Sequence, residues 1–301
     1  MKLPIANIAV RTAPALFVLL WSTGFIANKV ALASTGPLTW LTIRMAVTIG
    51  LLLIIILFTR PAWPKREQIG HSIVAGLLVH GVYLACVMLA LAQAVPAGLS
   101  ALIPGLQPIL TSTLASRYLG ERVTPLQWGG LALGLVGVGL VLHGRALTGQ
   151  ASWGWIASIL SLIGITLGTL YQKRFAGAVD WRTGNVIQYL AAGTAFALGA
   201  AATEPLTVRW DPSLLVVLAW SALVLSVGSI ALFYWLIRRS GATEVASLFY
   251  LVPAITAGMA FLLFGERLDA VALVGMALCA CGVVVVNRAA AAPEVLEPEQ
   301  S

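Results

Sequence analysis

A histidine and a tyrosine stand three residues apart inside one long apolar run. His80 and Tyr83 both lie within 70–92, and helical spacing puts them on a similar face. An imidazole there can contact a solute or respond to protons, and a phenol can donate or accept a hydrogen bond. The alternative is a neutral histidine that hydrogen-bonds a neighbouring helix. We predict that both side chains contact a substrate.

An arginine lies inside a second apolar run. Arg44 falls within 38–58, where insertion scales put the cost of a central arginine at about 2.5–3.5 kcal/mol, and less near the interface. Its guanidinium must therefore reach the membrane surface or find a partner. It could attract an anionic group, but we favour a structural pairing with loop carbonyls.

Lysines and prolines occupy positions that could gate the path of a substrate across the membrane. Lys29 and Lys173 end two apolar runs at corresponding points, where they could meet a substrate carboxylate or complement the helix dipole, which we favour. Prolines in two other runs remove backbone donors and predict bends at matching depth. The predicted gating or structural residues are Lys29, Arg44, Pro108, Lys173 and Pro253.

Aromatic and amide side chains in the apolar runs are the remaining candidates for solute contact. They combine an apolar body or stem with a hydrogen-bonding tip. Serine and threonine in such runs more often bind helix to helix. The predicted substrate-binding residues are Trp21, Asn28, His80, Tyr83, Gln107, Tyr171, Gln172 and Tyr250.

Carboxylates avoid the middle of every apolar run. The 11 Asp and Glu residues fall in loops, tails or helix ends, whereas proton-coupled carriers commonly place an acidic or histidine relay mid-membrane. We therefore expect facilitated diffusion or coupling through another group. The 3 histidines are scattered, the 3 cysteines lie in apolar runs, and no phosphate-binding G-x-x-x-x-G-K-S/T loop occurs. This excludes an ATP-driven pump within this chain and argues against an enzyme, a metal site or a cofactor.

Ten apolar runs must position these residues. Hydrophobic residues make up 59% of the 301 and charged residues 10%, against about 45–50% and 25% in soluble domains. A bilayer core needs roughly 20 apolar residues per helix. We predict an all-α integral membrane protein with ten transmembrane helices at about 13–33, 38–58, 70–92, 97–117, 126–143, 153–173, 184–202, 214–237, 243–264 and 269–287.

Basic residues fall mainly in the loops on one side of these helices. This distribution, rather than nucleic-acid binding, accounts for the net charge of +7. The positive-inside rule then predicts a multi-pass protein with both termini in the cytoplasm. The residues assigned to the cytoplasmic side are Lys2, Arg11, Arg60, Lys65, Arg66, Arg117, Arg122, Lys173, Arg174, Arg182, Arg238, Arg239 and Arg288.

The second half of the chain repeats the first. Shifted by 145 residues, 97–142 aligns with 242–287, matching Gly120-Glu121-Arg122 to Gly265-Glu266-Arg267, and also Gly130 to Gly275 and Gly137 to Gly282. A shift of 144 pairs Lys29 with Lys173 and Thr39 with Thr183. Five spans per repeat force opposite membrane orientations, so the repeats are inverted, as in many secondary transporters.

Three features together resemble one family. They are Trp21-Ser22-Thr23-Gly24 with Asn28-Lys29 in the first run, Arg44 in the second, and the Gly-Glu-Arg that occurs twice before a glycine-rich run. The chain resembles the EamA family of the drug/metabolite transporter superfamily, and within it the YddG-type amino acid exporters. The first run departs from the common Trp-Gly of the family, because Ser22 follows Trp21.

The resemblance implies two EamA-like repeats, 13–145 and 146–288. The positive-inside rule makes 1–12 a cytoplasmic N-terminus, and the short acidic, Ala/Pro-rich composition of 289–301 predicts a disordered cytoplasmic tail. The resemblance also implies a bacterial inner-membrane exporter of amino acids, aromatic, neutral or broad in range, and of related metabolites, working by alternating access at a central cavity. The open alternatives are a nucleotide-sugar or phosphorylated-metabolite carrier and a channel-like permease. The partners are the substrate and the lipid bilayer, and the oligomeric state is left open, with a monomer as the simplest case.

Overall fold

The architecture is known from a computed structural model that describes residues 4–93, 95, 97–108, 110–111, 114, 123–141, 152–239, 245, 247–264 and 270–291. These residues form helices and short connections, and their one β-type contact is an isolated antiparallel bridge between Thr35 and Val208. The Gly-Glu-Arg segments and most of the predicted tail lie outside the described residues.

The helices are labelled here in chain order. They are α1 (Pro4–Ala31), α2 (Pro37–Thr59), α3 (Arg66–Ala92), α4 (Ala97–Leu102), α5 (Pro125–Val141), α6 (Ser152–Tyr171), α7 (Trp181–Thr203), α8 (Pro212–Arg239), α9 (Leu248–Phe264) and α10 (Ala270–Ala291).

Length and composition suit these helices to a bilayer. Six stretches of the described chain are long and apolar enough to cross a membrane, namely Thr12–Ala31, Pro37–Thr59, Arg66–Ala92, Ile156–Ala176, Trp181–Thr203 and Pro212–Arg239. Leu248–Phe264 and Leu273–Val286 are shorter apolar helices. Large apolar side chains such as Phe58 and Leu262, 80% and 79% exposed, point outward, as a lipid-facing surface requires. The prediction of an all-helical integral membrane protein is confirmed.

Glycines let several helices approach closely. A Cβ on Gly76 of α3 would lie 2.5 Å from Gln188 Cα of α7, and one on Gly168 of α6 would lie 3.0 Å from the Val79 backbone nitrogen of α3. Small residues at such crossings bring backbones together, which is how membrane helices gain van der Waals contact without a hydrophobic driving force. They fix α3 against both α6 and α7.

Three spans depart from regular α-helix. α3 is π-helical at Leu77–Val82, α8 at Trp220–Ser229, and α6 continues beyond its last α-helical residue as a π segment, Gln172–Ala176. Pro104 begins a 3-10 turn after α4, and a second such turn, Leu248–Tyr250, opens α9. π-helical turns occur frequently at functional sites, since they rotate side chains away from the regular face.

One end of the bundle is tied together by a group that we call the Glu204 clamp: Glu204 with Leu38 and Thr39. Glu204 accepts hydrogen bonds from the backbone nitrogens of Leu38 and Thr39, at 2.7 and 2.9 Å, and from Thr39 Oγ1 at 2.7 Å. A carboxylate on the free N–H groups of α2 is well placed for the helix dipole. The clamp joins the α1–α2 turn to the α7–α8 segment.

A second carboxylate strengthens this end, here called the Ser34 end. Asp211 accepts from Ser34 Oγ at 2.6 Å and caps α8 by accepting from the Leu214 nitrogen at 2.9 Å. Hydrogen bonds from Ser213, Ser34 and Leu214 lower the pKa of Asp211. At the opposite end, here called the Thr183 end, Thr183 Oγ1 donates to the Ala62 carbonyl at 3.1 Å, and hydrogen bonds from Arg182 lower the pKa of Asp180.

Candidate functional site

A cavity of about 50 Å³ lies inside the bundle between α1, α2, α3, α7 and α8. Its walls combine aromatic and aliphatic side chains with a few polar groups, as small-molecule sites commonly do. The π segments of α3 and α8 each supply part of the wall. The lining residues are Trp21, Gly24, Phe25, Asn28, Arg44, Val79, His80, Tyr83, Leu84, Val87, Tyr189, Leu225, Ser229 and Ile230.

Arg44 is the charged residue of this lining, and it is only 6% exposed. Its Nε donates to Ser226 Oγ of α8 at 3.0 Å, and Tyr189 OH donates to the Ser226 carbonyl at 2.6 Å. The predicted pairing of Arg44 with loop carbonyls is therefore wrong. The π segment of α8 brings Ser226 to α2, so Arg44 finds its partner inside the bundle.

His80 faces the same cavity from the π segment of α3. Its ring centroid lies 4.5 Å from that of Tyr189, and Asn185 lies beside it. His80 Nε2 has no hydrogen-bond partner among the described residues, and neither has the side-chain amide of Asn185 or the hydroxyl of Ser229. Buried polar groups normally have partners, so these atoms are available to a bound molecule or to water.

An aromatic cluster borders the cavity. Trp21 Nε1 donates to Tyr83 OH at 3.1 Å, and the two rings stack at 6.2 Å between centroids. Phe233 and Phe249 lie 5.5 and 5.2 Å from the Trp21 ring, and Phe17 stacks on Phe233 at 5.7 Å. The cluster gives the site a polarizable apolar wall suited to uncharged parts of a solute.

The structure brings together four of the predicted substrate contacts, namely Trp21, Asn28, His80 and Tyr83. Asn28 also accepts from Trp40 Nε1 at 3.0 Å, which fixes its amide at the edge of the site nearer the Ser34 end.

Four other predicted contacts lie outside the cavity lining in this structure. Gln107 donates to Thr169 Oγ1 at 3.1 Å, so its amide joins α6. Tyr250 packs its ring on Gly134 of α5 and is fully buried there. The remaining two, Tyr171 and Gln172, belong to the Thr183 end.

Tyr171 and Gln172 follow the face of α6 that packs on α3 and α7. Tyr171 is three residues after Gly168, which touches α3, so its hydroxyl meets His71 Nδ1 at 2.7 Å near the start of α3. Gln172 Oε1 accepts from Gln188 Nε2 at 3.0 Å, and Gln188 Oε1 accepts from Tyr234 OH at 2.8 Å. Tyr171 and Gln172 therefore lie outside the cavity lining in this structure, and their contact with a substrate stays a prediction.

The predicted gating residues other than Arg44 surround the site without lining it. Lys29 lies over the Phe264 ring at 5.0 Å, and Lys173 lies in the π segment of α6. Pro253 is buried and close to the 3-10 turn after α4, because a Cβ on Gly105 would lie 3.1 Å from its Cγ. Pro108 is buried just after the 3-10 turn. A gating function for these four stays a prediction.

Sequence reasoning missed Tyr189 and Ser229, which line the cavity, and Ser226, which accepts the hydrogen bond from Arg44. Serines in membrane helices usually bond their own helix, so nothing local in the sequence marks Ser226 as the partner of Arg44. Arg44 was the residue that indicated a polar partner, since a buried cation requires one. Among the described residues no group of three or more His, Cys, Asp or Glu could hold a metal ion.

The sequence profile of the EamA-like transporter family matches residues 13–143 and 152–288. The chain belongs to this family. It is therefore a membrane transporter, and members of the family are named as transporters and efflux pumps rather than enzymes.

Individual relatives support this class. The chain is 28% identical over 276 residues to the uncharacterized inner membrane transporter YedA of Escherichia coli K12, covering 91% of this chain and 89% of that protein. It is 26% identical to a probable amino-acid metabolite efflux pump of Escherichia coli K12, covering 90% and 92%. It is 29% identical to a probable terminal-alkyne amino-acid exporter of Streptantibioticus cattleyicolor, covering 64% and 65%.

A solved structure shares the fold. It is titled only as a crystal structure of a protein, and it matches with a TM-score of 0.76 at 20% identity, covering 93% of this chain and 96% of the other. The similarity in names and helices supports an inner-membrane, multi-pass protein that handles small molecules.

Proposed function

We propose that the protein is a secondary transporter that exports amino acids and related metabolites by alternating access at the cavity, as a facilitator. The observation that carries the proposal is the position of the cavity, which α1, α2 and α3 from the first family match and α7 and α8 from the second enclose together. A site between two halves of a carrier can be exposed to either face by their relative movement.

The two halves are proposed to be inverted five-helix repeats, 13–145 and 146–288, which gives ten spans. The glycine contacts support a two-fold relation, since a Cβ on Gly130 would meet the Gly282 carbonyl at 2.9 Å and one on Gly137 would meet the Gly275 carbonyl at 2.6 Å. In the sequence alignment Gly130 corresponds to Gly275 and Gly137 to Gly282. Replacing Gly130 and Gly282 by their sequence equivalents, Gly275 and Gly137, gives the second contact. This is the relation expected between two equivalent helices that pack antiparallel.

The Thr183 end is proposed to be cytoplasmic, with both termini on that side. Among the described connections and helix ends it collects Arg60, Lys65, Arg66, Arg182, Arg238 and Arg239, whereas Arg209 lies at the Ser34 end. The positive-inside rule assigns the more basic end to the cytoplasm.

Two closures are proposed to alternate around the cavity. Toward the Thr183 end, the Phe17 ring packs on Phe233 and Phe249, and Tyr234, Gln188 and Gln172 form a hydrogen-bond chain. Toward the Ser34 end, the Asn28–Trp40 hydrogen bond and the Glu204 clamp hold the helices together. Alternating access requires these two sets of contacts to weaken in turn.

Amino acids suit the cavity better than phosphorylated metabolites do. The lining has one arginine and several aromatic side chains, whereas doubly charged phosphates are commonly held by clusters of basic groups. Two relatives are also named for amino-acid export, one as a probable amino-acid metabolite efflux pump and one as a probable terminal-alkyne amino-acid exporter.

Proteoliposomes holding the purified chain test the proposal. We expect saturable uptake of a radiolabelled neutral or aromatic amino acid, accelerated by unlabelled amino acid inside and independent of an imposed proton gradient. Absence of counterflow for every amino acid would refute the assignment, and uptake that never saturates would indicate a channel-like permease. Liposomes without protein are the control.

A further inference from the structure

Arg44 carries a buried positive charge that no described carboxylate neutralises. The Asp and Glu residues of the described chain lie at helix ends and connections, and the guanidinium donates instead to the neutral Ser226 hydroxyl. Removing a charge from water without a counter-charge is costly, and in membrane helices such a residue commonly marks a substrate or ion path. A purely structural arginine would be expected to have a carboxylate or several carbonyl partners.

Arg44 lines the cavity with part of its guanidinium unpaired by any described residue. Its Nε is used by Ser226, while Nη1 and Nη2 bond none of the described residues and Arg44 lines the cavity. Those two nitrogens present the paired donors that a carboxylate accepts in parallel. Ser226, itself held by Tyr189, acts as a positioning residue for this orientation.

Two further polar groups at the cavity could hydrogen-bond a substrate. His80 Nε2 and Ser229 Oγ are buried, line the cavity and have no hydrogen-bond partner among the described residues. Both side chains are at most 2% exposed. They line the same cavity as Arg44, which the uncharged aromatic side chains Trp21 and Tyr83 also line. The lining thus combines a polar part, here called the polar pole, with an apolar part.

We propose that Arg44 is the carboxylate-binding residue of the transport site, with His80 and Ser229 completing the polar pole and Trp21 and Tyr83 holding the apolar part of the substrate. The assignment rests on the proposed export of amino acids and narrows it to substrates that carry a free carboxylate. Amides, esters and simple amines of the same shape should bind more weakly, because they leave the desolvated guanidinium without a counter-charge.

Ligand-induced thermal stabilisation of the full-length protein in detergent tests the assignment directly. The probes are L-phenylalanine and 3-phenylpropionate, which carry a carboxylate, and L-phenylalaninamide and phenethylamine, which do not. We expect both carboxylates to raise the melting temperature at concentrations at least about tenfold below the other two, the loss of one charge-assisted pair being worth roughly this factor or more.

Variants locate the effect at Arg44. Arg44→Gln should lose the preference for carboxylates, Arg44→Lys should retain part of it, and Ser226→Ala should weaken it while keeping the charge. Arg182→Gln is the matched control, because this arginine pairs with Asp180 at 2.8 Å far from the cavity and its loss should leave the preference intact. If Arg44→Gln does not fold, the lysine and Ser226 variants carry the comparison.

Three outcomes would overturn the assignment: stabilisation by none of the carboxylates, equal stabilisation by L-phenylalanine and its amide, or stabilisation by sodium chloride alone, which would make Arg44 an inorganic-anion site. The transport assay separates the two proposals. Binding that depends on Arg44 without any amino acid counterflow refutes the export function alone, whereas counterflow in Arg44→Gln with an unchanged acid-over-amide preference refutes the role of Arg44 alone.

Discussion

The polar tips of Trp21 and Tyr83 meet inside the aromatic wall. Trp21 Nε1 donates to Tyr83 OH at 3.1 Å, so the indole cannot lose this acceptor without leaving a buried N–H unpaired. The pair therefore fixes the angle of both rings against the cavity. A second tyrosine, Tyr171, makes a comparable bond to His71 away from the cavity.

Tyr83→Phe should raise the KM for transport by about three- to tenfold, because an unpaired buried donor costs about 1 kcal/mol or more and lets the indole rotate. Tyr171→Phe removes a hydroxyl of the same kind and should leave KM unchanged. Initial rates in proteoliposomes, compared at equal amounts of folded protein, distinguish the two. Equal effects of both substitutions would contradict the placement of Tyr83 at the site.

At the scale of the element, helix ends decide how α2 and α8 are held. The first turn of α2 lacks a side-chain cap of its own, since Gly36 precedes it, and Glu204 from α7 supplies the missing acceptor. Asp211 caps α8 in the usual local way and reaches across to Ser34. Because the pKa of Asp211 is lowered in the folded protein, its contribution is present at neutral pH and is lost only as pH falls below the ordinary carboxyl range.

Glu204→Gln should lower the free energy of unfolding by about 1–2 kcal/mol, through loss of the charge that holds the first turn of α2. The same substitution should increase the rate of amino acid counterflow if the clamp must release for the cavity to open toward the Ser34 end. Glu67→Gln is the control, since Glu67 lies in the first turn of α3 and bonds no other segment of the described chain. Thermal denaturation and counterflow rates measure the two effects, and equal melting temperatures for both variants would show that the clamp contributes nothing.

At the scale of the whole molecule, α5 and α10 form a tightly packed pair away from the cavity. Gly130 and Gly137 of α5 meet the backbone of α10 at Gly282 and Gly275, and Gly134 makes room for the Tyr250 ring. A close glycine seam of this kind is rigid, because backbone cannot yield as a side chain can. Transport movements are therefore expected in the cavity helices rather than in this pair.

Gly137→Ala should destabilise the protein by about 1–3 kcal/mol, since the added methyl would overlap the Gly275 carbonyl and the Cys279 backbone. Gly129→Ala, on the same helix with nothing within 4 Å of its Cβ, should be neutral or stabilise by up to about 1 kcal/mol through helix propensity. Melting temperatures in detergent test the contrast, and a stabilising Gly137→Ala would contradict the close packing of α5 on α10.

The sequence by itself determined the membrane class, the family and most helix bounds, because these follow from the length of apolar runs and from residues close together in the chain. It also predicted His80, Tyr83, Trp21 and Asn28 as substrate contacts from their polar tips in apolar runs, and these four line the cavity. Only the tertiary structure decided which faces meet. The π segments of α3 and α8 rotate His80 and Ser226 toward Arg44, and the glycine contacts of α6 turn Tyr171 away from the cavity, effects that arise from contacts between distant segments.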